Sequence, residues 1–101
     1  MRFSDLANFK ASPSSLKILH CSDNLLNNLD NLPSKLEKLY CNSNYITQLD
    51  NLPQNLKALH CSDNKLTHLD NLPPNLEVLN CAVNKLTQLD NLPQNLKELC
   101  C

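Results

Sequence analysis

Glycine and tryptophan are both absent from this sequence of 101 residues, and aromatic side chains make up only 4% of it. Without glycine there is neither a dinucleotide-binding fingerprint nor a P-loop, because both need glycine where the backbone approaches phosphate. With so few aromatic residues, we expect no conventional core built on large ring anchors. Leucine carries most of the apolar content, which predicts one small packing arrangement used repeatedly.

Strong net charge and long apolar runs are also missing. The formal net charge is −1, so no basic field attracts nucleic acid or an anionic membrane surface. No apolar stretch approaches the length of a membrane span, and residues 1–15 lack the apolar segment of an ordinary secretory signal. We therefore expect no nucleic-acid partner, no membrane partner and a cytoplasmic location, where thiols stay reduced.

Leucines spaced by 20 residues reveal an internal repeat, and most other positions follow the same interval. One unit reads L-x-x-L-x-C-x-x-N-x-L-x-x-L-D-N-L-P-x-x. Its first leucine column consists of Leu16, Leu36, Leu56, Leu76 and Leu96. Residues 16–101 therefore form an array of four full repeats and a truncated fifth. Residues 1–15 fit the same register as a degenerate half-repeat, with Leu6, Phe9 and Pro13 at equivalent positions.

This unit resembles the leucine-rich repeat, whose core L-x-x-L-x-L-x-x-N/C-x-L is matched with cysteine at the third apolar position. The unit length and the Leu-Pro-x-x-Leu junction at 32–36 resemble the short repeats of bacterial secreted effectors, and of arrays in giant DNA viruses and protists. The Asp-Asn pair and the missing end caps depart from that subtype. The resemblance implies a right-handed β-solenoid, or horseshoe, with a parallel concave sheet, an extended polyproline-like convex side and little helix.

Alternation along each Leu-x-Cys segment predicts a short strand, because successive strand side chains point to opposite faces. Leu19 should point inward, while His20 and Ser22 should face solvent. One repeat cannot bury its leucines alone, so stacked repeats must shelter one another. Four cysteines then form an inward thiol column, which consists of Cys21, Cys41, Cys61 and Cys81.

Polar columns predict how the repeats are joined. An asparagine ladder follows the strands and consists of Asn24, Asn44, Asn64 and Asn84. Because a buried amide both donates and accepts, we expect each asparagine to satisfy backbone groups of adjacent repeats. A second column alternates in sign and consists of Lys17, Glu37, Lys57, Glu77 and Lys97. Opposite charges on adjacent strands attract, so this column predicts a defined register.

Cysteine, histidine and aspartate could suggest metal or catalytic chemistry, but their spacing favours structural roles. The thiol column is a line and not the converging tetrahedron of a zinc site, so we interpret its members as small buried hydrophobes. His20 and His60 point away from these thiols, which leaves no catalytic dyad. Aspartates at 30, 50, 70 and 90 could supply oxygens to calcium, although we favour turn chemistry. We predict no catalytic residue, metal or cofactor.

Cys100 and Cys101 differ from the thiol column, because they lie in the last repeat, which nothing covers. We expect both thiols to be exposed. An uncapped strand edge invites association, so we expect edge-mediated or disulfide-linked self-association at this end. The pair also resembles the prenylated ends of small GTPases, but such ends depend on a GTPase body that the sequence lacks.

The solvent-facing strand positions vary from repeat to repeat, whereas the inward columns barely change. Repeat solenoids use this concave face for binding. We predict a protein-binding surface that consists of His20, Lys38, Tyr40, Asn42, His60, Asp63 and Asn80. Tyr40 is the expected anchor, because it places a rigid amphipathic ring between two histidines in the middle of the face.

These features predict a non-enzymatic module that binds a protein partner on its concave face. The alternative is a fragment of a larger leucine-rich-repeat protein without autonomous activity, such as the substrate-recognition part of an effector or a ubiquitin ligase. Some effectors of the resembling family place such repeats before a cysteine-dependent ligase domain, and no residue here lies outside the repeats to supply one. For an effector or a viral protein, the expected location is the host cytoplasm.

Overall fold

Five short parallel strands organise residues 15–101, the part of the chain that the computed structural model describes. The strands are β1 (Ile18–His20), β2 (Lys38–Tyr40), β3 (Ala58–His60), β4 (Val78–Asn80) and β5 (Glu98–Cys100). The described residues contain no helix, and accordingly none that could cross a membrane. The half-repeat predicted at the N-terminus falls almost wholly outside this described part and stays a prediction.

Strand pairing reproduces the sequence period. The sheet order is β1-β2-β3-β4-β5, and every strand pairs in parallel with its neighbour. Leu19 lies opposite Leu39, and Leu39 opposite Leu59, so each residue pairs with the residue 20 positions later. The backbone ladder continues past the strands, where the Cys21 amide donates to the Tyr40 carbonyl at 2.8 Å. The predicted parallel solenoid is therefore confirmed.

The core is a stack of leucines from successive repeats. Leu19, Leu39 and Leu59 have no exposed surface, and Leu79 is 1% exposed. The same cluster contains Ile46 and the four cysteines that follow the strands. Because burial of apolar surface is the main favourable contribution to folding, the stability of each repeat depends on the repeats packed against it.

The return half of each repeat, which leads from one strand to the next, lacks regular secondary structure and contains a tight turn. The Leu36 amide donates to the Pro33 carbonyl at 3.2 Å, and the later repeats form the same turn. Just before it, Asn31 adopts a left-handed backbone with φ of 60°, as do Asn51, Asn71 and Asn91. Asparagine tolerates this region better than most residues. The asparagine of the Asp-Asn pair thus takes the left-handed position, whereas the sequence alone favoured the aspartate as the turn residue.

A second left-handed position follows each of the first four strands, at the turn that leaves the sheet. It is occupied by Asp23, Ser43, Asp63 and Val83, with φ between 55° and 59°. Aspartate is among the residues that visit this region more readily. Val83 is different, because a β-branched side chain at positive φ is sterically unfavourable. The fourth repeat therefore carries local backbone strain at the edge of the sheet.

Candidate functional site

Three rings stack along the middle of the solvent-facing side of the sheet. We call this side the strand face; it comprises positions 18, 20 and 22 and their equivalents in later repeats. The ring centroids of His20 and Tyr40 are 4.6 Å apart with planes 6° from parallel, and those of Tyr40 and His60 are 4.7 Å and 7°. Neighbouring strands lie about 4.7–4.9 Å apart, so strand pairing itself sets the ring spacing.

This ring ladder (His20, Tyr40 and His60) is only partly open to solvent. His20 is exposed, whereas Tyr40 and His60 are half-buried. Desolvation by burial lowers the pKa of His60, and the negative charge of Glu98 opposes that effect. The lowered pKa favours the neutral imidazole, so His60 provides one N–H donor and one nitrogen acceptor near neutral pH.

Lys38 lies beside the ring ladder, two residues before Tyr40 on the same strand and therefore on the same face. Its side chain is exposed, and no ion pair involves it within residues 15–101. Lysine and glutamate do pair in the adjacent alternating column, where Lys17–Glu37 and Lys97–Glu77 both approach to 3.9 Å. The Lys38 ammonium is thus available to a partner.

Asn42 combines a place on the strand face with a structural role. Its backbone amide donates to Ser22 Oγ at 3.1 Å. Its side-chain Oδ1 accepts from the Ser62 amide at 2.8 Å and from Ser62 Oγ at 2.9 Å. These bonds satisfy backbone donors just beyond the strands, so a substitution of Asn42 would affect the sheet edge as well as any contact with a partner.

The other two predicted polar site residues also hydrogen-bond within the chain. Asn80 Oδ1 accepts from the Ala82 amide at 3.3 Å. Asp63 Oδ2 accepts from Ser43 Oγ at 3.2 Å at the exposed edge of the face. The structure therefore brings His20, Tyr40, His60 and Lys38 together at the centre, and places Asp63 at the margin.

The asparagine ladder lies just behind this margin and joins neighbouring repeats. Asn44 Oδ1 accepts from the backbone amides of Asn24 and Leu26 at 3.2 and 3.1 Å. Its Nδ2 donates to the carbonyls of Cys21 and Cys41 at 3.0 and 3.1 Å. Asn64 and Asn84 repeat this bridging pattern. Each amide thereby satisfies buried backbone groups that have no partner in the sheet.

The thiol column is buried and poorly suited to nucleophilic chemistry. Cys21, Cys41 and Cys61 have no exposed surface, and Cys81 is 2% exposed. Burial raises the pKa of Cys21 and of Cys61 to about 12, and raises that of Cys41 well above its ordinary value. These thiols therefore remain protonated near neutral pH. Because the thiolate is the reactive form, they are poor nucleophiles. Among residues 15–101, no group of three or more histidine, cysteine and acidic side chains could hold a metal.

Ring stacking is the feature of the site that sequence reasoning missed. The repeat interval placed His20, Tyr40 and His60 in one outward column, with Tyr40 as the expected anchor between two histidines, but it did not predict that the rings stack. A signal was present, because three ring-bearing residues follow one another at the repeat interval. At the strand spacing, consecutive planar side chains on one column can lie parallel, which covers both faces of the central ring.

Comparison with known proteins adds two similar structures, although no family model and no curated protein matches the chain. The leucine-rich-repeat domain of a Shigella effector has a TM-score of 0.83 and 40% sequence identity, over 86% of this chain and 40% of that one. YopM from Yersinia enterocolitica WA-314 has a TM-score of 0.60 and 33% identity, over 84% of this chain and 23% of that one. This chain thus spans less than half the length of either protein.

The repeat unit, the strand pairing and these similarities agree. The unit places leucine, cysteine and asparagine at the positions of the leucine-rich-repeat consensus. The strands stack with a 20-residue register, and one of the similar structures is described as the leucine-rich-repeat domain of an effector. The similarities also support a repeat fold of the kind that serves protein interaction. This chain is a leucine-rich-repeat solenoid with 20-residue repeats.

Proposed function

We propose that this chain is a non-enzymatic module that binds a protein partner on its strand face. The ring ladder is the observation that carries this proposal. It assembles two imidazoles and a phenol at the centre of a face whose residues differ from repeat to repeat, while the inward leucines and cysteines stay constant. Tyrosine is enriched among the residues that dominate binding energy at protein interfaces.

The chemistry of the described residues also supports binding over catalysis. The inward thiols are protonated, and they lie on the opposite side of the sheet from His20 and His60. The similar structures suggest an effector-like protein, and we place its action in the cytoplasm, which is the host cytoplasm for an effector.

A second candidate is that the chain is the recognition part of a longer protein. The observation in its favour is the difference in length, since the chain spans 40% of the Shigella protein chain and 23% of YopM. In that case the strand face would select the partner, and a further segment would act on it, as in a ubiquitin ligase. Both candidates place the binding surface on the same residues.

The test is affinity capture with cross-linking mass spectrometry on the wild type and a Tyr40→Ala/His60→Ala double variant. Partners enriched by the wild type should be lost by the double variant, with the circular-dichroism spectrum preserved. The matched control is Gln54→Ala/Gln94→Ala, which changes exposed residues outside the strand face. Equal capture by the double variant, or cross-links confined to the return half of the repeats, would refute the proposal.

A further inference from the structure

Stacking determines which part of the ring ladder a partner can reach. An aromatic ring carries negative potential on its faces and positive potential at its edge. Both faces of Tyr40 are covered by imidazoles, at 4.6 and 4.7 Å between centroids. Solvent therefore meets the ring edges of the ladder, together with the phenol O–H and the imidazole N–H donors. This surface suits an acceptor or an anion better than a cation, because no tyrosine face is free.

The strand face carries two formal charges, Lys38 beside the ladder and Glu98 on β5, whose negative charge acts on His60. Positions 18, 20 and 22 and their equivalents in the next two repeats contain one formal charge, Lys38, and no carboxylate. The Lys38 ammonium is exposed and lies on the same face as Tyr40. Glu37 directly precedes Lys38 but pairs with Lys17 at 3.9 Å. Asp23 and Asp63 lie one position beyond the face, where Asp63 accepts from Ser43 Oγ. Lys38 is therefore the charge that shares the strand face with the ladder in these three repeats.

We propose that the ring ladder and Lys38 together bind carboxylates of an acidic segment of the protein partner. This inference rests on the function proposed above and names the chemistry of its partner. The Lys38 ammonium provides the charge, and the ring N–H and O–H groups donate hydrogen bonds to the carboxylate oxygens. Charge-assisted hydrogen bonds of this kind are stronger than those between neutral groups. A basic segment is disfavoured, because Lys38 repels it.

Anion binding should be linked to protonation of His60. Burial lowers the pKa of His60 in the free protein, and a bound carboxylate favours the imidazolium, so binding should strengthen as pH falls while acidic side chains stay ionised. Several charged or titratable groups lie on the strands of this sheet or just after them. They are Asp23 after β1, Lys38 and Tyr40 on β2, Asp63 after β3, and Glu98 and Cys100 on β5. The negative charge of Glu98 already acts on His60.

The test is an NMR titration of the 101-residue chain with labelled histidine rings. The probes are blocked tetraglutamate, tetraglutamine and tetralysine peptides at matched ionic strength. Tetraglutamate should shift the ring signals of His20 and His60 and raise the pKa of His60, and the other two peptides should not. His68 is the internal control, because it lies after the strand and contacts Thr67 Oγ1 at 3.2 Å.

Charge variants sharpen the titration. Lys38→Gln should weaken tetraglutamate binding about two- to fivefold, as expected for one exposed charge pair. Lys85→Gln removes the same charge from an exposed position outside the strand face and should leave binding unchanged. Circular dichroism should show that both variants keep the wild-type fold.

Three outcomes would overturn the inference: equal shifts with tetraglutamine or tetralysine, equal shifts of His68, or no shift of His20 and His60 with tetraglutamate. These outcomes are distinguishable from failure of the proposed function. If captured partners still require Tyr40 and His60 while tetraglutamate has no effect, the strand face binds a partner of different chemistry. If neither result appears, the strand face is not a binding surface.

Discussion

The third and fifth repeats carry the same inward residues in different surroundings. Leu59 on β3 has no exposed surface, whereas Leu99 on β5 is 43% exposed. Cys61 is buried, and its equivalent Cys101 is exposed. Within the described residues, β3 pairs with two strands and β5 with one. The burial of an inward side chain is therefore determined by the repeats on either side of it. This is expected of a solenoid whose stability sums over nearest-neighbour interfaces.

Truncation of the two leucines should give the largest difference between these repeats. Leu59→Ala removes a fully buried side chain and should cost about 2–5 kcal/mol of unfolding free energy. Leu99→Ala removes a partly exposed one and should cost about 1 kcal/mol. Urea denaturation of both variants measures the two values. Equal losses at the two positions would show that neighbouring repeats do not determine burial.

The asparagine ladder gives the next largest effect. Asn64→Ala leaves the Ile46 amide without its side-chain partner and removes one of the two ladder amides that donate to each of the buried Cys41 and Cys61 carbonyls, which should cost about 1–3 kcal/mol. Hydrogen exchange of the Ile46 amide should also accelerate, although it belongs to the preceding repeat. Asn55→Ala, at an exposed asparagine, is the matched control and should change stability by less than about 0.5 kcal/mol. Similar losses for both variants would contradict the bridging role.

Much of the fold could be predicted because the 20-residue period determines most of it. Repetition of Leu19 and Cys21 at one interval determines which side chains face inward and which strands pair. The left-handed positions were harder to predict. Asp30, beside Asn31, is also a residue type that suits the left-handed position. Only the backbone angles show that Asn31 is the one that occupies it. Val83 occupies a left-handed position against its own conformational preference, so local preference alone could not identify it.

The buried thiols should make the protein sensitive to alkaline pH. Burial raises the pKa of Cys61 from 9.0 to about 12. As pH rises, this thiol therefore ionises at a lower pH in the unfolded chain than in the folded one. The contribution of the protonated Cys61 thiol to stability is complete below pH 9.0 and is lost as pH rises toward 12. Each such thiol should remove about 1.4 kcal/mol per pH unit in this window. Urea denaturation at several pH values should show a shallower slope for Cys61→Ala, and the wild-type slope for the exposed control Cys100→Ala.

The smallest expected effect is a gain in stability at Val83. Val83→Asn should relieve left-handed strain and stabilise the fold by about 1 kcal/mol, while removing little packing from a side chain that is 72% exposed. Val78→Asn on β4 is the control, since Val78 does not have a positive φ, and it should not stabilise the protein. A lower thermal midpoint for Val83→Asn would show that the contacts of the valine stabilise the fold by more than its backbone strain destabilises it.

The candidate site was less predictable than the core, for a physical reason. Outward positions are not constrained by the period, so His20, Tyr40 and His60 could be assigned to one column but not to one orientation. Their parallel stacking depends on side-chain rotamers and on the strand spacing together. Lys38 was predicted on the face, whereas its lack of an ion pair among the described residues follows only from the distances between the charged groups.

Stacked repeats shelter the inward column while the strand face stays open to solvent. The number of thiols that react with Ellman's reagent depends on this arrangement. In the folded 101-residue chain, Cys100 and Cys101 should react at once, and the four buried cysteines should react only as fast as the protein unfolds. Prompt reaction of any thiol beyond those two, at a rate insensitive to stabilising conditions, would contradict the account.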